Sequence, residues 1–372
     1  MACSEVEFKP AIRDLSLAQC ERWFAERNEP TYRANQLWGW LYRRPVASFG
    51  EMTNLSKELR ERLDGHFNLW SISLCQVETA SDGTVKLLWK TQDNNHLESV
   101  LIPMSRSDSG ERRPHHLTLC VSTQIGCARG CSFCLTGVQG FSRNLSVAEI
   151  LDQVILTRVW LENPEALEIS PPAPLTRLSL SNVVFMGMGE PLDNYEAVVE
   201  SARRLAEDVG FSHRKVTIST VGIVPKIHRL GGEPEVFSLA LSLHAPNDEV
   251  RWQIMPQKRH YPVKEIVEAL RGFPLPPRKR FTIEYVMLDG VNDSDSLARD
   301  LVRLLNPLRC KVNLIPYNPF PGSPYRPSSI ERIEGFQQVL RSKGVSTFIR
   351  ASRGREILAG CGQLRWRVEE GS

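Results

Sequence analysis

Three cysteines in the stretch CVSTQIGCARGCSFCLTG, residues 120–137, constrain this chain more than any other feature. Cys127, Cys131 and Cys134 stand at a Cys-x3-Cys-x2-Cys spacing, in a glycine-interrupted loop directly after a strand-like run over residues 116–123. Three thiolates on one tight loop can each take one iron of a cubane 4Fe–4S cluster, because thiolate is the soft ligand such clusters require. The fourth iron then stays open. An open iron can chelate the amino and carboxylate groups of S-adenosylmethionine and reduce its sulfonium, releasing a 5′-deoxyadenosyl radical. The alternative is a structural zinc knot, which closes four ligands with a partner pair further on. No such pair follows, the next cysteine being Cys310.

The chain has 372 residues, enough for a larger catalytic domain and an accessory one. It has no apolar run of the length a membrane span needs, and its first residues, MACSEVEFKP, lack the pattern of a signal peptide. The expectation is a cytoplasmic protein with no membrane contact. Nine cysteines scattered along the sequence do not form an extracellular disulfide framework. In a reducing compartment they read as metal ligands, catalytic thiols or small buried hydrophobes. A net charge of +3 is too small to establish a nucleic-acid partner by itself.

Three regions follow from the patterning. Residues 1–72 read as a helical accessory domain, with apolar helical spacing over 15–27 and 32–44 and a further short helix capped by Asn54 or Ser56. Within it, YRANQLWGWLYRRP sets Arg33, Arg43 and Arg44 beside Trp38, Trp40 and Tyr42. Such a mixture suits RNA, since arginine neutralises phosphate and flat rings accept unstacked bases. A packed core with a solvated basic face gives the same pattern. Residues 73–115 read as short strands around a Ser81-Asp82-Gly83 turn, then a polar loop over 104–115. Glu98 lies on the third of these strands.

Residues 116–372 alternate strand and helix, which argues a parallel α/β sheet. Ser146 and Glu149 form a capping box, Asp193 can cap the next helix, and Val224-Pro225 reads as a turn. Seven candidate strands are too few for a closed eight-stranded barrel. The expected fold is therefore α/β, a partial open (β/α)6 barrel with the small helical domain before it. In such sheets ligands bind at the carboxyl ends of the strands. Those ends carry Gly189 and Glu190 in MGMGEP, Ser219, Ser242 to His244 through Leu243, and Asn318. Glycines let a ligand approach the backbone, Glu190 can accept from an ammonium group, and the others suit a ribose and a carboxylate. Two further thiols stand out. Cys120 precedes the first loop cysteine by seven residues, and Cys361 lies between glycines in a terminal segment, AGCGQL.

Together CARGCSFC, GMGEPL, SLHAPND, NLIPYNPFPG and AGCGQL resemble the radical S-adenosylmethionine RNA methyltransferases of the RlmN/Cfr type. The resemblance covers almost the whole chain, including YRANQLWGWLYRR and EMTNLSKELRERL. It implies a radical SAM barrel, an RNA-binding N-terminal domain, one 4Fe–4S cluster on Cys127, Cys131 and Cys134, and methylation of an adenine ring carbon. Cofactor contacts then map onto Gly189, Glu190, Ser219, Ser242, Leu243, His244 and Asn318. The methyl-carrying cysteine maps onto Cys361, its transient disulfide partner onto Cys120, and a proton acceptor onto Glu98 or Cys120. The implied route uses two S-adenosylmethionine molecules per turnover, one to methylate Cys361 and one to abstract hydrogen from that methyl group. The implied partners are ribosomal RNA, tRNA and a reducing electron donor such as flavodoxin, and a monomer is expected. The N-terminal match and GMGEPLDNYEAV favour methylation at C2 of adenine over C8. Inserts at 106–115, 165–177 and LTGVQG depart from the compact family pattern and are expected in loops.

Overall fold

The computed structural model describes residues 9–105, 114–256 and 261–365. Its strands are β1 (Ile72–Thr79), β2 (Val85–Thr91), β3 (His96–Ser105), β4 (Pro114–Cys120), β5 (Gln124–Gly126), β6 (Phe141–Asn144), β7 (Ser179–Phe185), β8 (Val216–Thr220), β9 (Ser238–Ser242), β10 (Phe281–Met287), β11 (Cys310–Pro316) and β12 (Thr347–Ile349). Its helices are α1 (Leu17–Ala25), α2 (Tyr32–Tyr42), α3 (Lys57–His66), α4 (Leu135–Gln139), α5 (Val147–Glu162), α6 (Tyr195–Glu207), α7 (Val224–Gly231), α8 (Asp248–Ile254), α9 (Val263–Arg271), α10 (Asp295–Leu305) and α11 (Ile330–Ser342). None is long and apolar enough to cross a membrane.

All strands but β5 and β6 join one sheet in the order β1-β2-β3-β4-β7-β8-β9-β10-β11-β12. From β4 onward every neighbouring pair is parallel. Parallel strands need crossovers, and α5, α6, α7, α8 with α9, α10 and α11 supply them. The sheet remains open, with β1 at one edge and β12 at the other. This is the expected partial barrel. The central strand β10 is buried on both faces, which is why it reads FTIEYVM rather than alternating with charge. The seventh parallel strand, β12, is a three-residue edge. Strands β1 to β3 are antiparallel and continue the same sheet beyond β4.

Several local expectations change. Val224-Pro225 opens α7 instead of turning, because proline fits the first turn of a helix, where its missing N–H is not needed. Asp193 does not cap α6; its carboxylate is taken by Arg129. LTGVQ forms α4 rather than a loop. The polar loop is shorter than expected, since β3 runs to Ser105 and β4 starts at Pro114; residues 106–113 lie outside the described residues. The 165–177 insert is pinned, with the Trp160 indole donating to the Ile169 carbonyl at 2.6 Å and Leu175 buried.

The helical region packs onto the barrel through buried charge. Arg13 pairs with Asp152 of α5 at 3.0 Å and donates to the carbonyls of Leu41 and Leu69. The second Asp152 oxygen accepts from the Ser71 amide and hydroxyl at 2.7 and 2.6 Å. Arg204 of α6 donates to the Arg13 carbonyl and the Tyr42 hydroxyl. The two parts share one hydrophobic core. Tyr42 is therefore a core residue, Trp38 packs against it at 4.7 Å between ring centroids, and Trp40 donates to Asn54. The exposed part of that motif is Tyr32 and Asn35 with Arg43 and Arg44.

Candidate active site

The cysteine loop leaves β5 and returns through α4 to β6, so the antiparallel pair β5–β6 closes its base. Closure is tight at Gly126, whose φ is +76° and where an added Cβ would sit 2.1 Å from the Gly140 carbonyl oxygen. Only glycine allows this approach. The Cys127 amide donates to Gly140 at 2.7 Å, and the Ser132 amide and hydroxyl donate to the Ile254 carbonyl of α8 at 3.0 and 2.9 Å. Cys127, Cys131 and Cys134 all line one cavity of about 620 Å³. Burial pushes the Cys127 thiol up to about 12 and raises Cys131 and Cys134, with mutual repulsion adding at Cys131.

This donor set fits the implied cluster. Three cysteines from one loop line one cavity, and each of the three thiols interacts electrostatically with another of the set. Among the described residues no group of three or more His, Cys, Asp or Glu converges as a site for a metal ion. A cubane does not ask for convergence on one atom, because each thiolate takes a different iron. Binding would release the thiol protons, so ligation offsets the cost of burying the sulfurs.

Strand ends β7, β8, β9 and β11 present the remaining groups to the same cavity. Gly189, at φ +97°, lets the backbone turn against Gln124, and the Glu190 amide donates to the Gln124 carbonyl oxygen of its side chain at 2.9 Å. Glu190 is buried and accepts from the amides of Leu192 and Val221 at 3.1 and 2.9 Å. Burial pushes its carboxyl up to about 7 despite these donors. Ser219 and Ser242 stand 3.5 Å apart across the β8–β9 boundary. His244 has φ +62°, and its Nδ1 accepts from the Val286 amide at 3.0 Å, which leaves the proton on Nε2. Burial drops its pKa to about 3, so the ring is neutral. Asn318 is buried and its oxygen accepts from Arg355 at 2.7 Å. Leu243 does not reach the cavity; its side chain is core and its carbonyl accepts from Arg251 at 3.1 Å.

Cys361 reaches the cavity from the other end of the chain. Its segment crosses the cysteine loop: the Leu135 amide donates to the Gly362 carbonyl at 2.7 Å, and the Thr136 hydroxyl donates to the Leu364 carbonyl at 2.6 Å. Gln363 donates to the Pro319 carbonyl at 2.9 Å. The surface of Cys361 is accessible yet lies among cavity-lining residues, so it opens inward. Desolvation raises its thiol, partly offset by the Arg350 guanidinium. Cys120, on β4, does not line the cavity. It pairs with Val100 across the sheet and so shares the face that Val100 turns to the cavity, and it interacts electrostatically with Cys361. Burial pushes it up to about 12. Both are free thiols. Glu98 lies on the same face of β3, two residues from Val100, but outside the cavity lining; its carboxylate meets Lys86 at 3.4 Å and accepts from the Arg365 amide at 3.0 Å.

Three groups were not singled out from sequence. Arg350 lines the cavity and lowers both Cys120 and Cys361. Arg251 is buried, bonded to the carbonyls of Leu243 and Val221, and lowers Cys131. Lys86 is opposite the apolar set of TVKLLWK, a position that reads as solvent-facing, but this face of β2 is covered. Only its place across from Val100, with Glu98 diagonal to it on the same face, could have raised it.

The chain matches the family model described as the radical SAM superfamily over residues 121–301, and the ribosomal RNA large subunit methyltransferase N-terminal domain over residues 11–69. It is 45% identical over 356 residues to a dual-specificity RNA methyltransferase RlmN of Syntrophobacter fumaroxidans, covering 95% of this chain and 97% of that one. A protein of the same description from Marinobacter nauticus is 45% identical over 358 residues, covering 95% and 92%. Among solved structures, a radical SAM methyltransferase from Sphaerobacter thermophilus aligns with a TM-score of 0.85 at 43% identity, covering 96% of this chain and 99% of that one.

Proposed function

The chain belongs to the RlmN family of radical S-adenosylmethionine RNA methyltransferases, and from that membership we propose that it methylates C2 of an adenosine in large-subunit ribosomal RNA and in tRNA next to the anticodon, with Cys361 as methyl carrier. The observation that carries this reading is the arrival of Cys361 in the cavity that the three loop cysteines line. A cluster on Cys127, Cys131 and Cys134, when bound, would supply the electron that splits S-adenosylmethionine and so the means to abstract hydrogen from an unactivated methyl group.

The chain's own residues account for the rest. The Cys361 sulfur attacks the methyl carbon of one S-adenosylmethionine; the new sulfur–carbon bond forms as the sulfonium–methyl bond breaks, and the thiol proton must leave first. Arg350 favours that thiolate. A second S-adenosylmethionine is consumed in activating the methyl group, which makes two per turnover. Gly189, Glu190, Ser219, Ser242, His244 and Asn318 would hold it, with an incoming ammonium favouring the ionised form of Glu190. Once the methylene is joined to the ring carbon, Cys120 thiolate attacks the Cys361 sulfur. A disulfide forms as the Cys361 sulfur–carbon bond breaks. The bonding pair leaves on the methylene carbon, which takes a proton to become the methyl group of the released product. An external thiol reductant returns Cys120 and Cys361 to thiols for the next turnover. Of the two candidate acceptors for the ring proton, Glu98 already engages Lys86 and the Arg365 amide, which favours Cys120 in its thiolate form; its sulfur must then pass that proton on before it attacks Cys361. A cytoplasmic monomer using a flavodoxin-like electron donor completes the reading.

The test is anaerobic reconstitution with iron and sulfide, followed by RNA, methyl-labelled S-adenosylmethionine and nucleoside mass spectrometry. Label at C2 is expected. Label at C8 overturns the subtype, and no methylated adenosine overturns the activity.

A further inference from the structure

One buried ion pair grips the Cys361 segment from both sides. Lys86 on β2 and Glu98 on β3 share a face of the antiparallel strands, each 3% exposed. The Lys86 ammonium lies 3.4 Å from a Glu98 oxygen and 3.3 Å from Glu78. Ahead of Cys361 it donates to the Ile357 carbonyl at 2.6 Å. Behind Cys361 the Arg365 amide donates to the other Glu98 oxygen at 3.0 Å. Ile357 and Arg365 stand four residues either side of Cys361. The β1–β2 turn holds the start of the segment, where the Gly354 amide donates to Asp82 at 3.0 Å and Glu356 accepts from the Ser81 amide.

We propose that the Lys86–Glu98 pair is a clamp that fixes the register of the Cys361 segment over the cavity, and that Lys86 is thereby a positioning residue for methyl transfer. A buried ammonium and carboxylate each need their full set of partners. Undocking the segment removes a carbonyl acceptor from Lys86 and an amide donor from Glu98 together, so the docked state satisfies both charges at once. The clamp rests on the reading of Cys361 as methyl carrier. That sulfur must serve a methyl donor near the cysteine loop and then Cys120 on β4, and a displacement of an ångström at such a site costs rate steeply. Glu98 acts here as an anchor whose charge orders a backbone segment, and its effect on the reaction runs through that segment.

The test compares Lys86→Met, Lys86→Arg, Glu98→Gln and Glu78→Gln in the full chain. Hydrogen exchange over residues 354–365 and alkylation of Cys361 by iodoacetamide are read on protein without cluster. RNA methylation, iron content and melting temperature are read on reconstituted protein. In Lys86→Met, exchange and alkylation should rise about tenfold, the loss expected of one charge-assisted hydrogen bond, with kcat falling by a similar factor at unchanged KM for RNA and unchanged iron. Lys86→Arg should restore most of both, and Glu78→Gln should leave both as they were. If Lys86→Met does not fold, Glu98→Gln decides: faster exchange together with lower kcat supports the clamp. A collapse of kcat in Glu98→Gln with wild-type exchange overturns it, as does wild-type exchange in a folded Lys86→Met. Failure of the unsubstituted enzyme to methylate RNA would sink the functional reading, while the exchange and alkylation arms still decide the clamp.

Discussion

The two ends of the cavity are built in opposite ways. The cysteine loop is held mainly by its neighbours: its ligands span eight residues and adjacent strands close its base. Between the ligands, Ser132 reaches far, to the Ile254 carbonyl and the Tyr325 hydroxyl, and Arg129 reaches Asp193. The Cys361 segment is held by partners far away in sequence, on the β1–β2 turn, β2, β3, α4 and the loop after β11. A local site can form once its loop closes, whereas a distant one exists only when the whole sheet is in place. The end that would hold a cluster is thus more independent of the fold than the end that carries Cys361.

The comparison is sharpest for single thiols. Cys134→Ala should remove cluster iron from reconstituted protein, seen as loss of the visible charge-transfer absorbance, and all RNA methylation with it. Cys361→Ala should abolish methylation just as completely yet keep wild-type iron; a loss of iron there would show the two ends to be one unit. Next in size, Cys120→Ala should stop product release and trap a protein–RNA adduct on Cys361, visible as a slow band on a denaturing gel. A freely released product would remove the resolving role.

A smaller effect tests electrostatics. Because burial raises the Cys361 thiol, the thiolate is scarce at neutral pH, and alkylation of Cys361 should climb about tenfold per pH unit and continue past roughly 8.5, where a free cysteine peptide levels. Arg350→Ala should shift that curve to still higher pH, whereas a curve that levels with the free peptide would mean an open segment. Smallest is Thr136→Val, which removes the hydroxyl donor to Leu364 and should cost about 1 kcal/mol of docking, read as several-fold faster hydrogen exchange at residues 360–365 with iron unchanged.

The same difference explains what could be read from sequence. The cysteine spacing, the capping box at Ser146 and the parallel strands carry short-range signals, and each stands in the structure. Cys361 stands out in the sequence as a glycine-flanked thiol in a motif that carries the family resemblance. Nothing in its neighbourhood specified α4 or β2 as its supports, since contacts spanning more than two hundred residues leave no periodic trace. Lys86 escapes a sequence reading for a physical reason: alternation predicts which residues share a face but not which face meets water, and both faces of β2 and β3 are covered. Trp38 and Tyr42 were equally open between core and RNA surface, and the position of Arg204 decides for packing.

Arg13 and Asp152 carry a consequence for how such proteins can be recombined. A helical module grafted from a relative without an arginine at this place would strand the aspartate of α5 in a dry interior with nothing to neutralise it. A barrel lacking the aspartate would do the same to the arginine. An exchange of the helical module is therefore expected to keep the fold stable only where both positions travel together.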